Sequence, residues 1–249
     1  MFRIFRSLDT NKSYCVFLFV CSCILYANTL KGAYVWDDRA AILGNSDVTQ
    51  KNTISELFMH DFWGQDIRDN MSHKSYRPIT TLSFRANHAL HGLSALGFHL
   101  ANVLIYASCV VLTYFVCKQW LSSIESARVA SALYCFHPVH VEAVASLVGR
   151  ADSLCGFFFM ASMLAYSASM HNWRQNHDGD DVTCTSSQHA GRIWGISQFL
   201  FSLILAIAAS LTKEIGVTIL GILVIVEIAD NIQDHLNELK KAKSIELKL

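Results

Sequence analysis

The chain has 249 residues, of which 52% are apolar and 16% are charged, with 20 acidic and 20 basic side chains. The charged fraction is well below the roughly 25% typical of soluble domains, and the balanced charge argues against a nucleic-acid-binding protein. The high hydrophobicity excludes a disordered chain. The composition therefore predicts an all-α polytopic membrane protein, long enough for about six crossings of roughly 20 residues each.

The first predicted element is a membrane span over residues 14–30, an uncharged stretch that follows the basic segment 1–13. A basic flank before an apolar run is also typical of a signal peptide. However, Leu25-Tyr26-Ala27 lacks the small residue that cleavage needs two places before its end. We therefore expect an uncleaved first span with its N-terminus in the cytosol, by the positive-inside rule.

Residues 31–91 form the next segment, which has no apolar run long enough to cross a membrane. With a cytosolic N-terminus, this loop lies in the lumen or outside the cell. It contains the N-glycosylation sequon Asn70-Met71-Ser72, and we expect Asn70 to be modified there. A second match, Asn11-Lys12-Ser13, falls on the cytosolic side and is expected to stay unmodified.

Residues 92–230 are predicted to contain spans two to six, joined by short loops. The third span is the least regular, because the apolar run 129–136 is too short to cross alone; we expect it to end near His137. The polar stretch 171–192 predicts a cytosolic loop. Its carboxylates, Asp178, Asp180 and Asp181, lack the distal Glu of a calcium-binding EF-hand. The tail, residues 231–249, is predicted to be cytosolic, and its lysines are Lys240, Lys241, Lys243 and Lys248.

The eight cysteines predict neither a disulfide framework nor a zinc site. Most of them lie within apolar runs, where a thiol behaves as a small hydrophobic group, and no CxxC spacing occurs.

Two adjacent carboxylates, Asp37 and Asp38, follow the first span. Charged clusters at a membrane edge are candidates for function, because charge is costly inside the bilayer. One carboxylate can act as a general base while the other stays ionised and orients an acceptor. The alternative is an ordinary loop turn in which Arg39 neutralises Asp38.

Arg77 is the candidate phosphate ligand of the same loop, in Tyr76-Arg77-Pro78. Its guanidinium offers a planar fork that suits a phosphate, and the proline fixes the backbone beside it. The alternative is a structural turn ahead of a helix.

Two further clusters lie at the same predicted membrane edge. His137, His140 and Glu142 could line a site that binds a charged head group, or hold a metal, although the spacing is not the HExxH of zinc hydrolases. The second cluster consists of Arg150, Asp152, Lys213 and Glu214. Its alternative role is structural, as salt bridges between short luminal turns.

Together these motifs resemble the TMTC family, the transmembrane O-mannosyltransferases that target cadherins and carry tetratricopeptide repeats. The match is ordered and covers roughly residues 25–230. The motifs that carry it are Val35-Trp36-Asp37-Asp38, Tyr76-Arg77-Pro78, Asn87-His88, Gly97-Phe98-His99-Leu100-Ala101-Asn102, Phe136-His137-Pro138-Val139-His140-Val141-Glu142-Ala143-Val144-Ala145, Gly149-Arg150-Ala151-Asp152 and Thr212-Lys213-Glu214. No 34-residue helical repeat follows them, so we expect a truncated N-terminal membrane part of such a protein.

The resemblance implies a GT-C glycosyltransferase fold in the endoplasmic reticulum membrane. It also implies a dolichyl-phosphate-mannose–protein mannosyltransferase, with Ser or Thr of cadherin-like domains as acceptor. Asp37 or Asp38 would be the base, with Glu142 as a second acidic group. Arg77, and less directly Arg150 or Lys213, would bind the donor phosphate. No metal or other cofactor is required.

Two other function classes stay open at this level. A non-catalytic membrane scaffold fits a chain of this length. A transporter fits less well, because most charges lie at the edges of the predicted spans and not within them.

Overall fold

The computed structural model describes residues 2–177 and 186–246. In these residues the α-helices are α1 (Phe2–Leu25), α2 (Ile54–Leu57), α3 (Pro78–His91), α4 (Ala95–Trp120), α5 (Ile124–Phe136), α6 (Val141–Ala145), α7 (Arg150–His177), α8 (Ser186–Thr212) and α9 (Thr218–Glu246). This described part of the chain contains no β-strand, and its one isolated bridge joins His60 and Asp66. The predicted all-α class is confirmed.

Helix α4 lies at the centre of the fold, in contact with α1, α5 and α7. Its buried side chains Val103 and Val110 belong to a core cluster that also includes Leu18 of α1. Tyr106 Oη donates to the carbonyl oxygen of Cys135 on α5 at 2.9 Å. A buried hydroxyl costs little free energy when it is hydrogen-bonded in this way, so Tyr106 can sit within an apolar core.

Helices α7 and α8 pack along each other through small polar residues. Ser162 Oγ donates to the carbonyl oxygen of Ser202 at 2.9 Å, and Ser169 Oγ donates to that of Gly195 at 2.7 Å. Small residues let two backbones approach closely, which is how membrane helices gain packing energy without a hydrophobic driving force.

Four helical segments in the described residues are long and apolar enough to cross a membrane: Ala95–Trp120, Arg150–Arg174, Ala190–Thr212 and Glu214–Gln233. The chain is therefore a multi-pass membrane protein. The apolar part of α1, Asn11–Leu25, is shorter than these, and so is α5. They correspond to the predicted first and third spans, and the total of six crossings stays a prediction.

Two segments predicted as loops contain helix. The loop 31–91 includes α3, which begins with Pro78, where the fixed φ of proline suits the first helical turn. The segment between helices is shorter than the predicted loop 171–192, because α7 continues to His177 and α8 begins at Ser186. Asp178, Asp180 and Asp181 lie outside the described residues, as do the side chains of Lys240, Lys241, Lys243 and Lys248.

Candidate functional site

Four segments far apart in the sequence meet at one end of the helices. Asp38 Oδ1, in the loop after α1, accepts from the backbone N–H of Val148 at 3.1 Å. Arg77, at the start of α3, is paired with Glu214 in the turn between α8 and α9. Lys213 of that turn is paired with Asp152 in the first turn of α7. The predicted gathering of charged motifs at span ends is therefore observed in the tertiary structure.

A cavity of about 160 Å³ lies among these segments. Its lining residues are Asp37, Phe62, Trp63, Arg77, Glu142, Ser146, Val148, Gly149, Asp152 and Lys213. Four of the predicted site residues share this space, namely Asp37, Arg77, Glu142 and Lys213. The other four active-site candidates, Asp38, Arg150, His137 and His140, do not line it. We call this space the charged cavity.

The two adjacent aspartates occupy different environments. The backbone of Trp36 has a φ of 41°, a left-handed conformation that is uncommon for a bulky residue. After it, Asp38 turns inward and is only 1% exposed, and its Oδ2 accepts from the N–H of Val35 at 3.1 Å. Asp37 is exposed and lines the charged cavity. Asp38 thus holds the loop in place, whereas the carboxylate of Asp37 is accessible.

Tyr34 precedes the acidic pair in the same loop, and its ring packs edge-on against Phe98 at a centroid distance of 5.9 Å. Burial, and secondarily the negative charge of Asp38, raises the pKa of the Tyr34 phenol to about 12. Its hydroxyl is buried and has no hydrogen-bond partner among the described protein atoms.

Both cations of the cavity are paired with carboxylates. Arg77 reaches Glu214 with two nitrogens, at 3.1 Å from Nη2 and 3.2 Å from Nε, and its guanidinium lies 5.2 Å from the ring centroid of Phe62. Lys213 Nζ lies 2.5 Å from Asp152 Oδ1. The structural alternative, salt bridges between short turns, is thus observed. Arg77 and Lys213 still keep about a quarter of their side-chain surface exposed.

Arg150 has a different position from the one predicted for a phosphate ligand. It is 1% exposed, its Nε donates to Asn102 Oδ1 at 2.7 Å, and its Nη2 donates to the carbonyl oxygen of Phe98 at 2.9 Å. Nη1 donates to Ser83 and Asn87. With each nitrogen engaged inside the protein, the guanidinium has no group to offer a phosphate. The physical reason is its place at the buried start of α7, where α3 and α4 supply the acceptors.

Asn102 connects the arginine to the wall of the charged cavity. Its Nδ2 donates to the carbonyl oxygen of Ser146 at 2.9 Å, in the connection between α6 and α7. In the same connection a Cβ on Gly149 would lie 2.6 Å from the carbonyl oxygen of Glu142, so only glycine fits this close approach. These contacts account structurally for the motif that ends in Asn102, to which the sequence assigned no role, and for Gly149 and Arg150 in the motif Gly149-Arg150-Ala151-Asp152.

The two histidines, which the sequence suggests as possible lining residues of the site, do not line the charged cavity. His137 Nδ1 accepts from the N–H of Val139 at 3.2 Å and caps the short turn that follows α5. The His140 ring packs on Tyr134 at a centroid distance of 4.2 Å. Burial, and then the neighbouring His137, lowers the pKa of His140. Within residues 2–177 and 186–246, no group of three or more His, Cys, Asp or Glu side chains is arranged to hold a metal ion.

Asn70 lies at an exposed turn of the loop between α2 and α3. The hydroxyl of the sequon residue Ser72 donates to Asp61 Oδ2 at 2.6 Å. The asparagine is therefore accessible in the folded loop, and its modification stays a prediction.

The sequence interpretation overlooked Trp63, which lines the charged cavity. Its only sequence signal is that it stands in a polar loop rich in aromatic residues.

The fold and the cavity define an α-helical multi-pass membrane protein with a charged cavity where its helices end. The chain is 38% identical over 197 residues to protein O-mannosyl-transferase Tmtc1 of Drosophila melanogaster, a match that covers 79% of this chain and 20% of that protein. It is 37% identical over 203 residues to human protein O-mannosyl-transferase TMTC3, covering 82% of this chain and 20% of the relative. Human TMTC4 is 35% identical over 213 residues, with coverages of 80% and 27%.

The chain therefore belongs to the TMTC family of protein O-mannosyl-transferases. It spans about a fifth to a quarter of the length of these curated relatives. No family model matches the chain, and no solved structure matches it. The GT-C assignment consequently stays a prediction from the resemblance.

Proposed function

We propose that the charged cavity is the mannosyl-transfer site of a protein O-mannosyltransferase of the endoplasmic reticulum membrane. The donor is dolichyl-phosphate-mannose, and the acceptor is a Ser or Thr hydroxyl of a luminal or extracellular, cadherin-like domain. The observation that carries the proposal is the convergence of Asp37, Arg77, Glu142 and Lys213 on one cavity at the ends of membrane-spanning helices. Relatives named as O-mannosyl-transferases support the same reaction class.

Asp37 is the proposed general base. Its carboxylate is exposed to the cavity, whereas Asp38 is buried and already accepts two backbone hydrogen bonds. In the reaction, Asp37 takes the proton of the acceptor hydroxyl while the hydroxyl oxygen attacks the anomeric carbon of mannose. The bond from that carbon to the phosphate oxygen breaks, and dolichyl phosphate leaves with the bonding electrons. Attack opposite to the leaving group inverts the anomeric configuration.

Arg77 and Lys213 are the proposed ligands of the leaving phosphate. Positive charge placed where negative charge develops is an effective way to stabilise a transition state. Each cation is held by a carboxylate in the structure, so a bound phosphate would replace or share Glu214 and Asp152 as their partner. Two cations suffice for this task, so the proposal needs no metal. Glu142 is a second carboxylate in reach of the sugar, and Arg150 serves as scaffold.

The test is transfer of mannose from the lipid donor to a cadherin domain by Asp37→Asn protein. The variant keeps the shape of the side chain and loses its basicity, so we expect a roughly hundred- to ten-thousand-fold lower rate. Rates are measured for this chain and for a chimera in which it replaces the matching segment of human TMTC3. Asp69→Asn is the matched control, since Asp69 is exposed in the same loop and does not line the cavity.

If Asp37→Asn and Asp69→Asn both transfer mannose at the wild-type rate, Asp37 is not the general base. Glu142 is then the next carboxylate to test. Failure of both the chain and the chimera to transfer mannose would favour the scaffold role. Uptake of solute into proteoliposomes that contain the chain would favour a transporter.

A further inference from the structure

Two aromatic residues form one wall of the charged cavity, and neither takes part in the proposed transfer step. Phe62 and Trp63 both line it. Phe62 is 2% exposed, and the guanidinium of Arg77 lies over its ring. Trp63 is only partly buried, so its indole supplies the aromatic surface that a bound molecule can reach.

The position of Trp63 is fixed by the loop that carries it. Asp61 is buried, and its Oδ1 accepts from the N–H of Trp63 at 2.9 Å. Its Oδ2 accepts from Ser72 Oγ at 2.6 Å and from the N–H of His73 at 3.1 Å, which ties both sides of the loop together. The indole packs edge-on against Phe62 at a centroid distance of 5.3 Å and lies 5.9 Å from the His73 ring. Such a pre-organised side chain loses little conformational entropy when it binds a ligand.

The combination of one aromatic face with several charged groups matches the chemistry of a hexopyranose. A sugar ring presents C–H groups on one face, which pack on an aromatic ring, and hydroxyls around its edge, which bond to carboxylates and cations. Asp37 and Glu142 are acceptors in the cavity, and Asp152 is a third carboxylate there, which is paired with Lys213. The cavity volume of about 160 Å³ suits a single monosaccharide. An apolar peptide side chain would cover the carboxylates of Asp37 and Glu142 without offering them a hydrogen-bond donor, at a cost in free energy.

We propose that Trp63 forms the aromatic wall of a monosaccharide subsite and holds the hexose ring beside Asp37. This inference rests on the proposed function and names a binding residue for the sugar that is transferred. It separates two tasks within the cavity: Arg77 and Lys213 contact the phosphate, and Trp63 contacts the sugar.

The experiment measures the affinity of the purified 249-residue chain, in detergent, for three probes. The probes are citronellyl-phosphate-mannose, citronellyl phosphate and methyl α-mannoside. The variants are Trp63→Leu, which keeps apolar bulk without an aromatic ring, and Trp63→Tyr, which retains a ring. Trp194→Leu is the matched control, because Trp194 is exposed on α8 and does not line the cavity. Size-exclusion profiles identify variants that fail to fold.

We expect Trp63→Leu to bind citronellyl-phosphate-mannose roughly three- to tenfold more weakly, the range typical of one aromatic contact. Binding of citronellyl phosphate should not change, and Trp63→Tyr should recover most of the affinity for mannose. An equal loss for both phosphorylated probes, or a loss for neither, would overturn the subsite. If Trp63→Leu is misfolded, Trp63→Tyr takes its place in the test. The subsite is then overturned if Trp63→Tyr binds both phosphorylated probes more weakly by the same factor.

The third probe distinguishes the subsite from the proposed donor. If neither phosphorylated probe binds to wild-type protein but methyl α-mannoside binds in a Trp63-dependent way, the lipid-phosphate donor is wrong and the sugar subsite stands. If no mannose-bearing probe binds to the wild-type chain, the subsite is refuted.

Discussion

Arg150 offers the sharpest test of how this end of the protein is built. Its guanidinium donates to buried acceptors on α3 and α4 and lies over the ring of Phe84, 4.6 Å from the centroid. The substitution Arg150→Met keeps a long apolar side chain and removes the hydrogen bonds and the charge. It leaves the buried acceptor Asn102 Oδ1 without its donor, and it removes the side-chain donor of the Phe98 carbonyl oxygen, which lies within helix α4.

The expected loss of stability follows from those two acceptors. An unsatisfied buried polar group costs about 1–3 kcal/mol, and the cost of burying the guanidinium, now absent, offsets part of the total. We therefore expect Arg150→Met to be less stable by about 2–4 kcal/mol. For a chain of this size that lowers the unfolding temperature by roughly 4–16 °C. The stability of Arg150→Lys should lie between those of the wild-type and Arg150→Met proteins, because lysine keeps the charge and loses the planar fork.

The assay is thermal unfolding of the purified protein in detergent, followed by tryptophan fluorescence. Arg68→Met is the control, since Arg68 pairs with Asp66 at the surface and its loss should barely move the transition. Binding of citronellyl phosphate to the folded variant is measured below its unfolding temperature. An unchanged unfolding temperature together with lost phosphate binding would refute the scaffold role and make Arg150 a phosphate ligand.

Three further predictions concern the loop between α1 and α4. Asp38→Ala leaves the N–H groups of Val35 and Val148 without an acceptor, so the free energy of unfolding should fall by about 2–3 kcal/mol in the same assay; wild-type stability would contradict the holding role. Tyr34→Phe removes a buried hydroxyl that lacks a partner, and stability should stay equal or rise by up to about 1 kcal/mol. Because the folded-state pKa of Tyr34 is raised from 10.0 to about 12, its contribution to stability is complete below pH 10 and is lost as the pH rises through 12; the phenylalanine variant should lack this alkaline loss. Asn70→Gln should abolish a glycosidase-sensitive mass shift in microsomes, and protease cleavage of residues 40–90 from the cytosolic side would overturn the predicted orientation.

Much of the architecture follows from the sequence because a bilayer imposes a simple local rule. A segment that crosses it needs about 20 apolar residues, and its backbone must be hydrogen-bonded within the segment. The hydropathy of Ala95–Trp120 therefore predicts a helix without reference to the rest of the chain. The same rule places charged motifs at the helix ends, which is why Asp37, Arg77, Glu142 and Lys213 could be selected before any contact was known.

The shorter helices α3 and α5 cannot be predicted from this rule. The apolar part of α5 is too brief to signal a span, and α3 lies in a segment with no spanning signal. Their positions depend on packing against α4 and on contacts such as that of Thr80 Oγ1 with the carbonyl oxygen of Thr212, 132 residues away.

Tertiary structure alone distinguished side chains of the same type. Asp37 and Asp38 are neighbours in the chain, and the left-handed turn at Trp36 and the distant N–H of Val148 decide which of them is buried. Arg77 and Arg150 both stand where a helix begins, yet Arg77 pairs with the exposed Glu214, 137 residues away, whereas Arg150 is buried among acceptors 48 to 67 residues away. These differences come from burial and from partners remote in sequence, and a local pattern carries information about neither.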